Sequence, residues 1–363
     1  MTKPTVAVLF GGRSSEHGVS CVTAGGVLGA IDRDRWNVVA LGITPDGRWT
    51  VASNAPEDWA IIDDIMPSVD DNGSTVLLPI RAGNTAWRVE GAGGVIAPLA
   101  DIDLVFPVLH GPFGEDGTLQ GALELLDIRY VGAGVLASAV GMDKQFMKTA
   151  FKDAGLPVTP DVVLYPGEAV AGHMADVEAL GLPLFVKPAR AGSSMGISRV
   201  DHLDELEAAV ALAVEQDPKV LIERGVGGRE IETAVLATES EVRVSPAGEI
   251  VTGSDHAFYD FEAKYLEEGQ VELLCPTTLP AGVADVVADY ARRAFRAVGA
   301  EGLARVDVFV AEDGAVTVNE INTMPGFTTT SMYPRMWASA GVEYPELVQT
   351  LLETALTRRI GLR

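Results

Sequence analysis

The sequence predicts a soluble α/β protein that opens with a doubly wound unit and continues into two further domains of mixed α+β character. Three observations predict it. At 363 residues the chain exceeds what one ordinary hydrophobic core organises. Hydrophobic residues make up 47% of it and 39 glycines punctuate the apolar runs, a globular composition rather than a disordered one. Strand-length apolar runs alternate with stretches of helical period, as in sheets whose strands are joined through helices.

The first unit, residues 1–133, starts with "TVAVLF", the glycine loop "GGRSSEHGVS" and an apolar-periodic stretch to Ile31, a strand–loop–helix opening. "WNVVALGIT" and "DIDLVFPVLHG" add buried strands. Residues 66–97 read as an extra hairpin. "GVLASAVGMDKQFMKTAFKDAG" predicts one long helix that Gly155 and Pro157 terminate. The second unit, 134–230, carries the short strands "PDVVLYP", "LPLFVKPA", "ISRV" and "KVLIERGV" between two helices. The third, 231–363, holds more strands, the polar segment "SDHAFYDFEAKYLEEGQ", a helix over 282–298, a hairpin and two closing helices.

A formal net charge of -24 excludes a surface built to track nucleic acid or anionic lipid. A bound polyanion must meet a local basic cluster. Only seven of the 27 basic residues are lysines, so Lys144, Lys187 and Lys264, each inside a motif, are informative. The two cysteines, Cys21 and Cys275, lack disulfide-framework or zinc spacing. The first apolar run is too short for a signal peptide and nothing reaches transmembrane length, so a cytoplasmic protein without membrane insertion is expected.

"LARVDVFVAEDGAVTVNEIN" alternates on both sides of Asp313-Gly314, a dipeptide favoured in two-residue type I′ turns. Pairing Glu312 with Ala315 puts Asp307 opposite Glu320 and Arg305 opposite Asn322, all four on one face. A bulged three-residue turn would shift that register. Facing carboxylates roughly 5 Å apart at Cβ repel unless a cation lies between them. Two carboxylates with an amide oxygen suit Mg²⁺ or Mn²⁺. The alternative is a surface salt-bridge ladder of Arg305 and Asp307; the flanking valines, which imply burial, favour the metal.

"FVKPARAGSSMGIS" places Lys187 at a strand end before a loop of small residues whose N–H and hydroxyl groups suit phosphate oxygens. An ordinary polar turn reads the same way, and the chain has no GxxxxGK[ST] loop. "GAGVLA" matches GxGxxA but lacks a suitably placed ribose acid, so close helix packing explains it better. In the first loop Glu16 suits a substrate ammonium or hydroxyl better than phosphate. His17 and His110 are each more often structural than catalytic, though His110 lies at a strand end where ligands gather.

Taken together, "FGGRSSEHGVS", "VLHGPFGEDGTLQG", "MDKQFMK", "FVKPARAGSSMGIS", "FYDFEAKY", "ARVDVFV" and "VNEINTMPGFTTTSMYP" resemble the D-alanine–D-alanine ligases of the ATP-grasp superfamily. The motifs run in family order from residue 10 to residue 334. The resemblance implies an ATP-grasp fold, with ATP held between the central and C-terminal domains and a homodimeric assembly.

Position by position it implies ATP phosphate contacts at Lys144, Lys187, Ser194 and Lys264, adenine contacts at Glu223, Arg224 and Val226, and a ribose contact at Glu230. Asp307, Glu320 and Asn322 match ligands of two Mg²⁺ or Mn²⁺ ions. Glu16 would hold the first D-alanine, with His110 near it; Ser331 and Met332 would seat the second. Arg305 and the Gly326 N–H match the oxyanion donors. Glu16, Ser193 and Tyr265 match a trio that ties a lid over the site. The implied activity is ATP-dependent formation of D-alanyl-D-alanine for peptidoglycan. The alternatives are a related ligase using D-lactate or D-serine and a non-catalytic nucleotide-binding regulator.

Overall fold

The structure is a computed structural model that describes residues 3–252 and 271–359. Lys264, Tyr265 and the expected lid segment lie outside the described residues.

The chain opens with β1 (Thr5–Gly11), α1 (His17–Ala30), β2 (Asn37–Ile43) and β3 (Trp49–Val51). The strands β4 (Thr75–Leu77), β5 (Ala86–Glu90) and β6 (Ile96–Asp101) come next, then β7 (Leu104–Pro107), α2 (Thr118–Leu125) and β8 (Arg129–Tyr130). The first sheet has the order β3-β2-β1-β7-β8, with β1 parallel to both β2 and β7. That position explains why "TVAVLFG" is apolar without alternation: a central parallel strand is covered on both faces. Because β1 and β7 run together, the loops that leave their carboxyl ends, bearing Glu16 and His110, emerge at the same edge. The stretch 66–97 is not a lone hairpin, since β6 adds a third antiparallel strand beside β5 to make a separate small sheet.

The expected single long helix is two, α3 (Val135–Met142) and α4 (Lys144–Asp153). Asp143 separates them. Its backbone is extended at φ -94 and ψ 104, and its carboxylate accepts from the N–H groups of Gln145 and Phe146. An aspartate at that place offers the next turn a cap instead of continuing the helix before it. Lys144 becomes the first residue of α4.

The second unit contains β9 (Asp161–Leu164), α5 (Met174–Leu180), β10 (Leu184–Pro188), β11 (Ser198–Val200), α6 (Leu206–Gln216) and β12 (Val220–Arg224). Its antiparallel sheet has the order β11-β10-β12-β9. Leu184, Val186, Ile222 and Ala213 are buried between the sheet and its helices.

The third unit holds β13 (Arg229–Ala237), β14 (Val242–Val244), β15 (Gly248–Thr252), β16 (Val271–Leu274), α7 (Val283–Ala297), β17 (Leu303–Val310), β18 (Val316–Asn322), α8 (Met332–Ser339) and α9 (Tyr344–Thr357). Its sheet is ordered β16-β15-β13-β17-β18, with β14 beside β13. In α7, Val283, Val287, Ala291 and Ala294 recur at four and three, so one stripe is buried on the sheet. Met147 and Phe151 of α4 join that core with Val306, Val308 and Ile321. Leu347 and Leu351 of α9 return to the first unit, where they share a core with Phe106 and Val108. The first and third units are thus joined through apolar packing, and the main cavity is lined by residues of all three units.

Candidate active site

The hairpin of β17 and β18 fixes the centre of the site. Its turn has three residues, Glu312 to Gly314, because Ala311 N–H donates to Ala315 O at 2.9 Å and Gly314 takes a left-handed φ of +84°. This corrects the expected two-residue turn. The outer half pairs Val310 with Val316 and Val308 with Val318, so buried valines meet buried valines. The register then shifts between Val308 and Asp307, leaving Asn319 as the extra residue of a bulge. Beyond it Asp307 faces Glu320 and Arg305 faces Asn322, the pairs expected from the sequence. The bulge turns Glu320 and Asn322 away from the face that buries Val316 and Val318, which strict alternation would have made them share.

Arg305 donates Nε–H to Asp307 Oδ1 at 2.7 Å and Nη2–H to Oδ2 at 2.6 Å. Its Nε also lies 3.1 Å from Glu232 Oε1, and Glu232 is the cross-strand neighbour of Asp307 on β13. Burial works against the guanidinium's charge, but Asp307 and Glu232 hold its pKa well above the ordinary value. Asn322 Nδ2–H donates to Asp307 Oδ2 at 3.0 Å, and Glu320 Oε1 lies 3.5 Å from the same amide. Among the described residues no three His, Cys, Asp or Glu side chains form a metal cluster. The set here is two carboxylates and an amide that share one space, hard oxygen donors of the kind a divalent cation takes when a substrate supplies the remaining ligands.

Lys144, Lys187 and Glu223 face this cluster across the cavity. Lys144 donates to Ala191 O at 2.8 Å, and burial together with Lys187 lowers its pKa while Glu320 opposes. Lys187 donates to Glu223 Oε2 at 2.9 Å; burial opposes its charge, but Glu223 raises its pKa. The other oxygen of Glu223 accepts from Lys148 Nζ at 2.9 Å. Thr159 Oγ1–H donates toward Glu223 Oε2 at 3.3 Å. Against the cost of burial, Lys187 and Lys148 hold Glu223 well below the usual carboxylate range. Arg224, Val226 and Glu230 also line the cavity, around the turn from β12 into β13.

At the other end Ser193 Oγ–H donates to Glu16 Oε1 at 2.6 Å. Ser193 and Ser194 take φ of +48° and +57°, left-handed conformations that cost non-glycine residues energy and cluster at functional sites. Gly111 packs so closely that a Cβ there would lie 2.7 Å from Glu16 Oε2. Buried His110 approaches Met324 O with Nδ1 at 3.1 Å; a carbonyl only accepts, so Nδ1 carries the proton. Burial lowers the pKa of His110, with Glu16 opposing. Ser331, the N-cap of α8, takes the Thr328 N–H at 3.1 Å, and Met332 is the next residue along.

One cavity of about 520 Å³ brings together every expected site residue that lies in the described part of the chain, Gly326 included. Residues 5–133 match the family model described as D-ala D-ala ligase N-terminus, and residues 150–353 match D-ala D-ala ligase C-terminus. The chain belongs to the D-alanine–D-alanine ligase family. It is 55% identical to a D-alanine–D-alanine ligase of Kineococcus radiotolerans, across 99% of both chains. It is 53% identical to that of Arthrobacter sp. (strain FB24), across 99% of this chain and 96% of the relative. Among solved structures it resembles the VanG D-Ala:D-Ser ligase from Enterococcus faecalis, with TM-score 0.84 and 33% identity over 98% of this chain and 100% of the other. The D-alanine-D-alanine ligase from Coxiella burnetii has TM-score 0.83 and 33% identity over 98% and 94%. The fold is therefore the ATP-grasp fold of D-alanine–D-alanine ligases.

Three residues of this ligase's site were not singled out from sequence. Lys148 stands one helical turn after Lys144, so the pair shares a face of α4; that spacing in so lysine-poor a chain was the available signal. Glu232 stands two residues after Glu230 on a strand and therefore shares its face. Glu115 lies in the glycine-rich loop after His110, where its Oε2 accepts the Gly111 N–H at 2.8 Å and its Oε1 the Met324 N–H at 3.0 Å. Burial, with Glu16 adding, pushes the Glu115 carboxyl up to about 8.

Proposed function

We propose that this chain joins two D-alanines at the expense of ATP, releasing ADP and phosphate, to supply the D-alanyl-D-alanine of peptidoglycan. The observation that carries this reading is the register of β17 and β18, which puts Arg305, Asp307, Glu320 and Asn322 on the cavity face opposite Lys144 and Lys187.

The carboxylate of the first D-alanine attacks the γ-phosphorus of ATP; ADP leaves and a D-alanyl phosphate remains. The second D-alanine, its ammonium deprotonated, attacks the acyl carbon; phosphate leaves and the amide bond forms. A carboxylate oxygen is a poor leaving group and a phosphate a good one, so the first step makes the second feasible. Two divalent ions, Mg²⁺ or Mn²⁺, held by Asp307, Glu320 and Asn322, would neutralise charge on the transferring phosphoryl group. Lys144, Lys187 and Ser194 contact the phosphates, as does Lys264. Glu223, Arg224 and Val226 meet the adenine and Glu230 the ribose. Both carboxylate oxygens of Glu223 are engaged by lysines, so its side chain also fixes Lys187.

Glu16, oriented by Ser193, holds the ammonium of the first D-alanine, with His110 beside it and Tyr265 completing the trio. Ser331 and Met332 seat the second. Arg305 and the Gly326 N–H aim donors at the oxyanion, where fixed donors stabilise most when water is excluded. The proposed organisation is three domains, 1–133, 134–230 and 231–363, in a cytoplasmic homodimer, which sedimentation would test. No helix among the described residues is long and apolar enough to cross a membrane.

The test is phosphate release with ATP, Mg²⁺ and D-alanine, with product mass read in the same tube. ATP turnover indifferent to D-alanine would sink the reading. Similarity to a D-Ala:D-Ser ligase keeps a second acceptor in view; product masses from mixed D-alanine, D-serine and D-lactate decide between them.

A further inference from the structure

The backbone of Met324 is held at both its N–H and its C=O by the first unit of the fold. Its N–H donates to Glu115 Oε1 at 3.0 Å, and its C=O accepts from His110 Nδ1–H at 3.1 Å. Neither restraint ends there. Glu115 Oε2 takes the Gly111 N–H at 2.8 Å, while His110 Nε2 lies 3.3 Å from Thr23 Oγ1, whose hydroxyl is the donor once Nδ1 carries the proton. Met324, His110 and Thr23 are 7%, 5% and 0% exposed, so the His110 arm is dry and hard to replace with water, while the two bonds of the Glu115 arm are partly buried.

The two residues after Met324 give this clamp its meaning. Pro325 has no N–H, so the next donor along the chain after the one Glu115 takes is that of Gly326. Gly326 and Arg305 both line the cavity. The segment therefore has one N–H tied down, one missing and one left to aim.

We propose that Glu115 is a positioning residue that clamps the loop Thr323–Gly326 of the third unit to the first unit, so that the Gly326 N–H is aimed and water is kept from the acyl phosphate. The inference rests on the ligase reading of this site. Burial of a carboxyl beside Glu16 is costly, as its raised pKa shows. A purely structural acceptor has no reason to bridge Gly111, which packs on Glu16, to Met324, which precedes the oxyanion donor. Loosening that bridge separates the loop holding the first substrate from the loop stabilising the transition state.

A loosened clamp still permits phosphoryl transfer but exposes the intermediate to water. The intermediate is then hydrolysed: water adds to the acyl carbon, phosphate leaves, and D-alanine is regenerated without a dipeptide. The measurement is the ratio of phosphate released to dipeptide formed for wild type, Glu115→Gln and Thr23→Val, each with its thermal midpoint. Gln keeps the shape but presents an amide N–H to one of the two backbone donors. Thr23→Val removes only the far end of the relay, a nearly isosteric change that keeps the test open if Glu115→Gln folds poorly.

We expect a ratio near one for wild type, a ratio raised by roughly fivefold or more in Glu115→Gln, the size of one lost buried hydrogen bond, and a smaller rise in Thr23→Val. A ratio that stays at the wild-type value in both variants, whatever happens to their melting points or rates, overturns the clamp and leaves the ligase reading standing. A wild type that makes no dipeptide overturns the ligase reading and takes the clamp with it.

Discussion

Arg305 grips Asp307 through two hydrogen bonds of 2.7 and 2.6 Å, with the Asp307 carboxylate buried and the guanidinium partly so. Removing one partner of such a pair strands the other, and here the stranded charges would be two, since Glu232 also faces the guanidinium. Arg305→Met is expected to lose about 3–5 kcal/mol of stability, the usual cost of breaking a buried pair from one side. Urea unfolding of the variant checks this, and a loss under about 1 kcal/mol would show that the carboxylates find other relief.

Glu320→Gln should behave in the opposite way. Glu320 is only partly buried, and its carboxylate lies at the long end of its contact with Asn322, 3.5 Å away. The expected outcome is turnover lower by roughly a hundredfold or more at unchanged folding, as removal of a metal-holding carboxylate gives. Its readout besides rate is calorimetry: stabilisation by Mn²⁺ with ADP, present in wild type, should be weaker in the variant. Equal stabilisation of both proteins would remove Glu320 from the metal site.

How much of this site was legible in the sequence is best judged on the same hairpin. Asp307 opposite Glu320 was readable from alternation about Asp313-Gly314, yet two irregularities that the alternation hides cancel on the way. The three-residue turn slips the register by one so that Val308 and Val310 meet Val318 and Val316 rather than Asn319 and Thr317. The bulge at Asn319 slips it back and flips the face. Burial of valines demands the first register and the oxygen cluster demands the second, and only three-dimensional packing sets where the change occurs. Similarly, "GMDKQF" continues a helical period, so the break was hidden in the capping of α4 by Asp143. Lys144, Lys187, Glu16 and His110 were accessible because motif residues sit in loops at strand ends or at a helix start. Glu115 was missed because its partners are backbone N–H groups, which carry no sequence signature.

Lys148 ties α4 to the sheet of the second unit: its ammonium lies 2.9 Å from Glu223 and 3.1 Å from Asp161, with side chains 2%, 5% and 7% exposed. Lys148→Met is expected to destabilise by about 3–5 kcal/mol and to raise the KM for ATP more than it lowers kcat, because Lys187 shares the same carboxylate. A variant with normal KM for ATP would separate the ion cluster from nucleotide binding.

Glu223 predicts the acid side of the stability profile. Its folded pKa is depressed below the ordinary carboxyl value of 4.5 by Lys187 and Lys148, against the cost of burial. It therefore contributes stability that is complete above the unfolded pKa and is lost as pH falls below about 4.5 toward the folded value. Wild type should lose stability steeply in that window, and Glu223→Gln should show a shallower slope there despite a lower plateau at neutral pH. Parallel slopes in the two proteins would place the acid sensitivity elsewhere.

Glu115 predicts the opposite slope at higher pH. Its folded pKa stands at about 8, above the ordinary carboxyl value of 4.5, chiefly through burial and then through Glu16. Between those values the unfolded chain has released a proton that the folded chain still holds, so stability falls as pH rises, and the loss is complete above about 8. Glu115→Gln cannot titrate and should flatten this limb, making the variant compare better with wild type at pH 8 than at pH 5.5 in urea unfolding. The N–H donors of Gly111 and Met324 pull the other way. A limb that persists unchanged in Glu115→Gln would mean those two donors keep the carboxylate ionised across the range, and the clamp would then be a charged one at every pH at which the enzyme works.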